Sequence, residues 1–368
     1  MSLPSLDAAR RYVRLRLPAF LSINRRRASA AMLLASVALT GCGTTFPPPT
    51  PPAVNATLIN GGRDGLLIPL HVERADEDHA RLGLPVQLDG TPRYVALDTG
   101  TQGVRVLRSA LPGSSYPGAG GVTSHALANG SEVVGSLVTV PFSVAATKAA
   151  PVVVQAVDTV RCQSGARGCV AIDGYTGEFG WAFSGIAGVG ADLPGENCCT
   201  QPLRALPGSI GQRYLVRANV AKPFLLLNPS DALTKGYTMV PMAASKNGAS
   251  QWPTGCVRVG DKMTFCAPLV FATGTSGMIR IEMDKAPTWT GDDEIGKVLN
   301  RGNYETAIGV GSWTHRYEKA QVTIVKAKPD TNRIVVGLMA MQNIDVLFDF
   351  SRGQLGLYAA KESESFAP

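Results

Sequence analysis

One carboxylate, and a methyl group where its echo should be, frame the chemistry open to this chain. The stretch YVALDTGTQGVRVL begins at Tyr94, and PLVFATGTSGMIRI begins at Pro268, 174 residues later. Each reads as a hydrophobic strand, an X-Thr-Gly-Thr loop and a second hydrophobic strand, one design used twice. The first X is Asp98 and the second is Ala272. A carboxylate at a strand end can orient a water as a base or accept hydrogen bonds from its own loop. A methyl group neither takes nor gives a proton. The second loop therefore keeps Thr273, Gly274 and Thr275, the counterparts of Thr99, Gly100 and Thr101, without the reactive group.

Other catalytic arrangements lack their residues. The sequence has no G-x-S-x-G, no HExxH and no Walker A motif. The run GIAGVG has the wrong glycine spacing for a dinucleotide loop and fits a packed strand. Ser276 has no evident His partner, and His125 and His315 read as surface or hydrogen-bonding residues. With His71, His79, His125 and His315 scattered and no CxxC spacing, neither a metal nor another cofactor is expected.

Charge placement excludes a nucleic-acid partner. The formal net charge is +7, but residues 1–41 hold seven Arg and a single acid, Asp7. The rest carries 28 basic against 27 acidic residues (35 less 7, and 28 less 1), close to neutral. Arg25, Arg26 and Arg27 precede the apolar run ASAAMLLASVALT, which has the length of a signal-peptide core rather than of a membrane span. The run ends in Leu39-Thr40-Gly41-Cys42, which resembles the lipobox of bacterial lipoproteins. That resemblance implies cleavage before Cys42 and acylation of its thiol, with residues 1–41 as signal peptide. Gly43 rather than Asp after the cysteine implies the periplasmic face of an outer membrane. Five prolines in the six residues Pro47 to Pro52 hold a semi-rigid, extended spacer, so 42–55 reads as a tether. Six further cysteines in an exported chain imply disulfides. Local pairs Cys162–Cys169 and Cys256–Cys266 are expected, while the adjacent Cys198 and Cys199 could bridge each other or cross-pair.

The elements that must position Asp98 are strands. From Leu66 onward, short runs rich in Val, Ile, Leu, Thr and Phe alternate with turn residues, and 40 Gly and 25 Pro fit a turn-dense, mainly β chain. Two helices are expected, near Gln201 to Ile210 and around Asp292 to Asn300. Each half also carries a second motif: SGIAGVG, with Ile186, Ala187 and Gly188, and NRIVVGL, with Val335, Val336 and Gly337.

Taken together, the two loops, the two hydrophobic-hydrophobic-Gly strands and the closing stretch VLFDFSRGQLGLYAA resemble the pepsin-like aspartic peptidases, over about Pro85 to Ala360. The resemblance implies a bilobal, mainly β double-ψ barrel fold with a cleft between lobes at 56–220 and 221–368. In that family two aspartates share one proton across the cleft, one activating a water and the other protonating the peptide carbonyl. The resemblance implies that Thr99 and Thr273 brace the two loops against each other, and that Thr101 and Thr275 fall where the family's hydroxyls bond the adjacent carboxylate. A hairpin flap over the cleft is matched by SHALANGSEVVGSLVTV, which lacks the family's Tyr. With Ala272 in place of the second acid, the resemblance implies a degenerate, pseudo-peptidase site. Loss of one member of such a unit costs about 10⁴-fold in turnover. The expected partner is a peptide or protein segment in the cleft of a monomer. The alternatives are an active endopeptidase in which Asp98 works with a non-standard second acid, or a lipoprotein scaffold whose Asp98 merely accepts loop hydrogen bonds. Glu282 and Asp284 follow the second loop, but an extended strand carries them away from Ala272.

Overall fold

Period-two alternation sets the architecture. The strand Thr254–Val259 turns Gly255, Val257 and Val259 inward and leaves Thr254, Cys256 and Arg258 exposed, as expected of a sheet with one face in a core. The computed structural model describes residues 55–74, 80–113, 115–127, 130–164, 169, 183–192, 199–244, 250–290 and 295–360. The expected signal peptide, the lipidation site Cys42, nearly all of the 42–55 tether and Cys198 lie outside these residues.

Three main sheets account for most of the strands. In the first, Ala80–Leu88, Thr91–Asp98, Gly185–Val189, Gln102–Leu107, Ala150–Cys162 and Ser131–Val144 are neighbours in that order. Pairing of Val86 with Val144 closes them into a six-stranded barrel. In the second, Thr254–Val259, Met263–Ala272, Arg333–Gly337, Ile279–Met283, Trp313–Lys326 and Val298–Val310 close into another. The two orders match strand for strand. In each barrel the strand entering the X-Thr-Gly-Thr loop runs parallel to the hydrophobic-Gly strand, with Asp98 beside Gly188 and Ala272 beside Gly337. The repeat seen in the sequence is thus a repeat of topology.

The third is a seven-stranded antiparallel sheet that takes strands from both halves of the chain. Thr57–Leu58, Leu66–Pro69, Phe224–Leu227, Arg213–Arg217, Ile344–Asp349, Gln354–Ala359 and Thr238–Pro241 are neighbours in that order. The lobe boundary expected at 220/221 falls in the turn between two hydrogen-bonded neighbours of this sheet, Arg213–Arg217 and Phe224–Leu227. An aromatic chain ties it to the second barrel: Trp252 lies 5.6 Å from Phe348 and 6.3 Å from Phe271, which lies 6.0 Å from Trp313. Phe271 immediately precedes Ala272, so the loop is anchored in a buried aromatic cluster.

The two expected helices do not form among the described residues. Residues 201–212 make successive turns, because Pro202 and Pro207 remove helix donors and Gly208 takes a left-handed φ of +73°. Of the second, 298–300 instead begins the long strand Val298–Val310, whose cross-strand partners on Trp313–Lys326 outweigh local propensity. Among the described residues, only the short 3₁₀ turns Ile59–Gly62 and Arg108–Ala110 are helical. Both local disulfides are present: Cys162–Cys169 closes a loop, and Cys256–Cys266 joins directly opposed residues of two strands. Cys199 is also disulfide-bonded.

Candidate functional site

The parallel pairing in each barrel leaves an X-Thr-Gly-Thr loop projecting from its strand end, and the two loops meet. Thr99 and Thr273 lock them together. The Thr99 N–H donates to Thr273 Oγ1 (3.1 Å), and the Thr273 N–H donates to Thr99 Oγ1 (3.0 Å). Each hydroxyl then donates to a carbonyl of the opposite loop, Thr99 to Phe271 (2.5 Å) and Thr273 to Leu97 (2.7 Å). Both residues are at most 1% exposed, so these bonds are shielded from water and hard to replace.

Close approach explains the two glycines. A Cβ on Gly100 would sit 2.5 Å from the Ala272 Cβ, and one on Gly274 would sit 2.4 Å from the Asp98 Cγ. Residues 98 and 272 therefore face each other across the paired loops, each against the glycine of the opposite loop. The Asp98 carboxylate is shared between the loops. Its Oδ1 accepts the N–H of Gly100 (2.8 Å) and of Gly274 (3.2 Å), and its Oδ2 accepts the Thr101 hydroxyl (2.9 Å). The matching hydroxyl of Thr275 has no carboxylate beside it, and among the described residues it bonds nothing.

A cleft of about 240 Å³ opens beside these loops. Its walls are the alternate residues of four strands: Ala96 with Asp98, Val270 with Ala272, Arg280 with Glu282, and Arg333 with Val335. Thr101, Thr273, Gly274, Thr275, Arg81 and the hairpin residues His125 and Leu127 are among the other residues that line it. The expected hairpin exists: Gly118–Ala126 pairs with Ser131–Val144, from Gly118 opposite Val138 to Ala126 opposite Glu132. Gln155, fully buried, donates to the Thr123 carbonyl (2.8 Å) and fixes the hairpin from behind.

On the cleft side of the hairpin, the surroundings of His125 decide its protonation. Burial, then the neighbouring Arg105 and Arg333, push its imidazolium down to about 3. Arg105 donates to the His125 Nδ1 (3.1 Å) and to the Gln102 carbonyl (2.7 Å). A guanidinium has donors only, so Nδ1 must accept and the ring proton is on Nε2. His125 is thus a neutral ring with a single N–H donor on a wall of the cleft.

Glu282 lines the same cleft as Asp98, although its strand was expected to carry it away. After the second loop the chain folds back, with Ile279 beside Val336 and Glu282 beside Arg333. Arg333 lies four residues before Gly337, Ala272's partner. At ~3.3 Å per residue Glu282 lies roughly 13 Å along the strands from Ala272, beyond hydrogen-bond reach of that position. Burial would raise the Glu282 carboxyl, but the guanidinium groups of Arg333 and Arg280, each 2.7 Å away, outweigh it and hold the acid low. It is a poor source of the missing proton.

Sequence reasoning grouped the loop residues, set Glu282 aside as too far along its strand, and missed Arg280, Arg333 and Arg81. A signal was present: MIRIEM and NRIVV place charged residues at every second position, or just before an apolar run, on strands otherwise built for burial. Among the described residues no group of three or more His, Cys, Asp and Glu could hold a metal ion. No protein-family model matches the chain, and a comparison with curated proteins finds no match.

Proposed function

We propose that the chain is a pepsin-like pseudo-peptidase whose cleft binds an extended peptide or protein segment without hydrolysing it by a carboxylate dyad. One observation carries the reading: Asp98 and Ala272 confront each other across fully braced loops, so the framework for two acids holds one. Asp98 could orient a water, but Ala272 cannot protonate the leaving group or the carbonyl oxygen, and Glu282 is committed to two arginines. What such a site retains is recognition, through backbone pairing along the cleft and pockets for alternate side chains. By its leader, the protein is exported, acylated on Cys42 and held by its proline tether at a membrane surface, facing the periplasm as a monomer.

The test is proteolysis of an unfolded substrate, such as reduced casein, at acidic pH. Wild type should leave it intact, and Ala272→Asp should cleave it, because the second loop already presents Thr273, Gly274 and an unengaged Thr275 hydroxyl for a carboxylate. Cleavage by wild type that stops with Asp98→Asn would sink the reading in favour of an endopeptidase with an unconventional second acid.

A further inference from the structure

The paired arginines of the cleft have a surplus that the protein itself does not use. Arg280 donates its Nε to Glu282 Oε1 and Arg333 donates its Nε to Oε2, both at 2.7 Å. Two guanidinium groups thus share one acid. Both bind it through Nε, and among the described residues the four terminal nitrogens have no protein partner. The acid beneath is buried, with side-chain exposure of 11%, while the arginines keep 26% and 32%. The forks are therefore the accessible part of the cluster. The other acid of the cleft, Asp98, is already taken up by three donors from the loops.

We infer that the cleft selects ligands bearing a carboxylate, which the terminal nitrogens of Arg280 and Arg333 receive as a two-armed clamp. This rests on the reading of the cleft as a peptide-binding site and names the class of peptide. Guanidinium forks match carboxylates in planar, bidentate geometry, and such charge-assisted bonds are about twice as strong as neutral ones. The wall has the right polarity: the field of Arg333 reaches His125 on the facing hairpin and helps keep that ring uncharged. Register locates the clamp. Arg280 pairs with Val335, and Arg333 is opposite Glu282, two and four residues from the level of Ala272. At ~3.3 Å per residue, an extended ligand places its carboxylate about two to four residues from the one beside Asp98. The carboxylate is either an acidic side chain or a chain terminus, and the experiment separates these sources.

The full chain in mild detergent is titrated against four fluorescein-labelled nonapeptides by anisotropy. They share an alternating Val/Ser backbone with a central Glu or Gln, each with a free or amidated C-terminus. A side-chain source predicts about tenfold tighter binding of the Glu peptides than the Gln peptides, and a terminal source predicts a similar loss on amidation. Arg280→Gln should abolish most of that preference. Glu282→Gln should enlarge it, since the competing internal acid becomes neutral. A merely structural role for the cluster would move both variants in one direction. Arg333→Lys, which keeps charge and removes the fork, should fall between and guards against misfolding of the Gln variants. Equal binding of all four peptides, or the same direction of change in Arg280→Gln and Glu282→Gln, overturns the inference and leaves peptide binding standing. Failure of every peptide to bind at millimolar concentration overturns the peptide-cleft reading, and the inference with it.

Discussion

Lowering the pH should weaken this protein through His125, and by an amount the site geometry sets. The folded environment holds the imidazolium near 3 through burial, Arg105 and Arg333, whereas in the unfolded chain the group titrates near its ordinary value of about 6.5. Between those values the unfolded chain binds a proton that the folded one refuses. Stability is therefore fully present above about 6.5 and declines as the pH falls towards 3. At about 1.4 kcal/mol per pH unit, the descent from pH 7 to pH 5 costs about 2 kcal/mol. That figure is a ceiling, because the ring is part-exposed and solvent screens the two arginines. The assay is urea unfolding of wild type and His125→Gln at both pH values, comparing free energies extrapolated to water. Carboxylates elsewhere titrate in both proteins and cancel in the difference. The variant should lose less stability than wild type over this interval by up to that amount. Equal losses would refute the electrostatic account of His125, and with it the assignment of its proton to Nε2 as an uncharged donor in the cleft.

The loops and the central sheet yield sharper contrasts. Thr273→Val removes a buried hydroxyl that bonds Leu97 and Thr99, and should cost about 2–3 kcal/mol in a urea melt. Thr275→Val, at a hydroxyl that bonds nothing, should cost within about 0.5 kcal/mol. Gly274→Ala drives a methyl to 2.4 Å from the Asp98 Cγ and should destabilise by about 1–3 kcal/mol, read as a lower urea midpoint. In the shared sheet, Asp345 receives Arg217 (2.9 Å from Nε) and the Tyr237 hydroxyl (3.2 Å). Asp345→Ala leaves the Arg217 guanidinium, 13% exposed, without that partner, and should cost about 3 kcal/mol by the same measurement.

Much of the site was legible because it is repeated. Two copies of one loop motif, each followed by a hydrophobic-hydrophobic-Gly strand, expose themselves to comparison, and the substitution of Asp98 by Ala272 stands out against the unchanged Thr-Gly-Thr. The local cysteine pairs were legible for a related reason, since short sequence separation leaves few alternatives. The helices near Gln201 and Asn300 were misread because short polar-apolar segments carry little period, and prolines in one and a distant partner strand in the other decided the outcome. The arginines were legible only as charges on strands otherwise built for burial, not as a cluster. Arg280 and Arg333 are 53 residues apart in sequence, and nothing local says that Ile279–Met283 turns back to lie against Arg333–Gly337.

By itself the sequence determined which chemistry is possible at the loops, because a methyl group at position 272 has no proton to give in any fold. It also determined that the chain is built of strands, through alternation and turn residues that act over a few positions. Only the tertiary structure decided that Asp98 looks at Ala272, that one carboxylate accepts donors from both loops, and that Glu282 is spent on two arginines in the same cleft. Those facts depend on which strands lie side by side, and pairing between segments far apart in the chain is set by the packing of whole barrels rather than by any residue's neighbours along it.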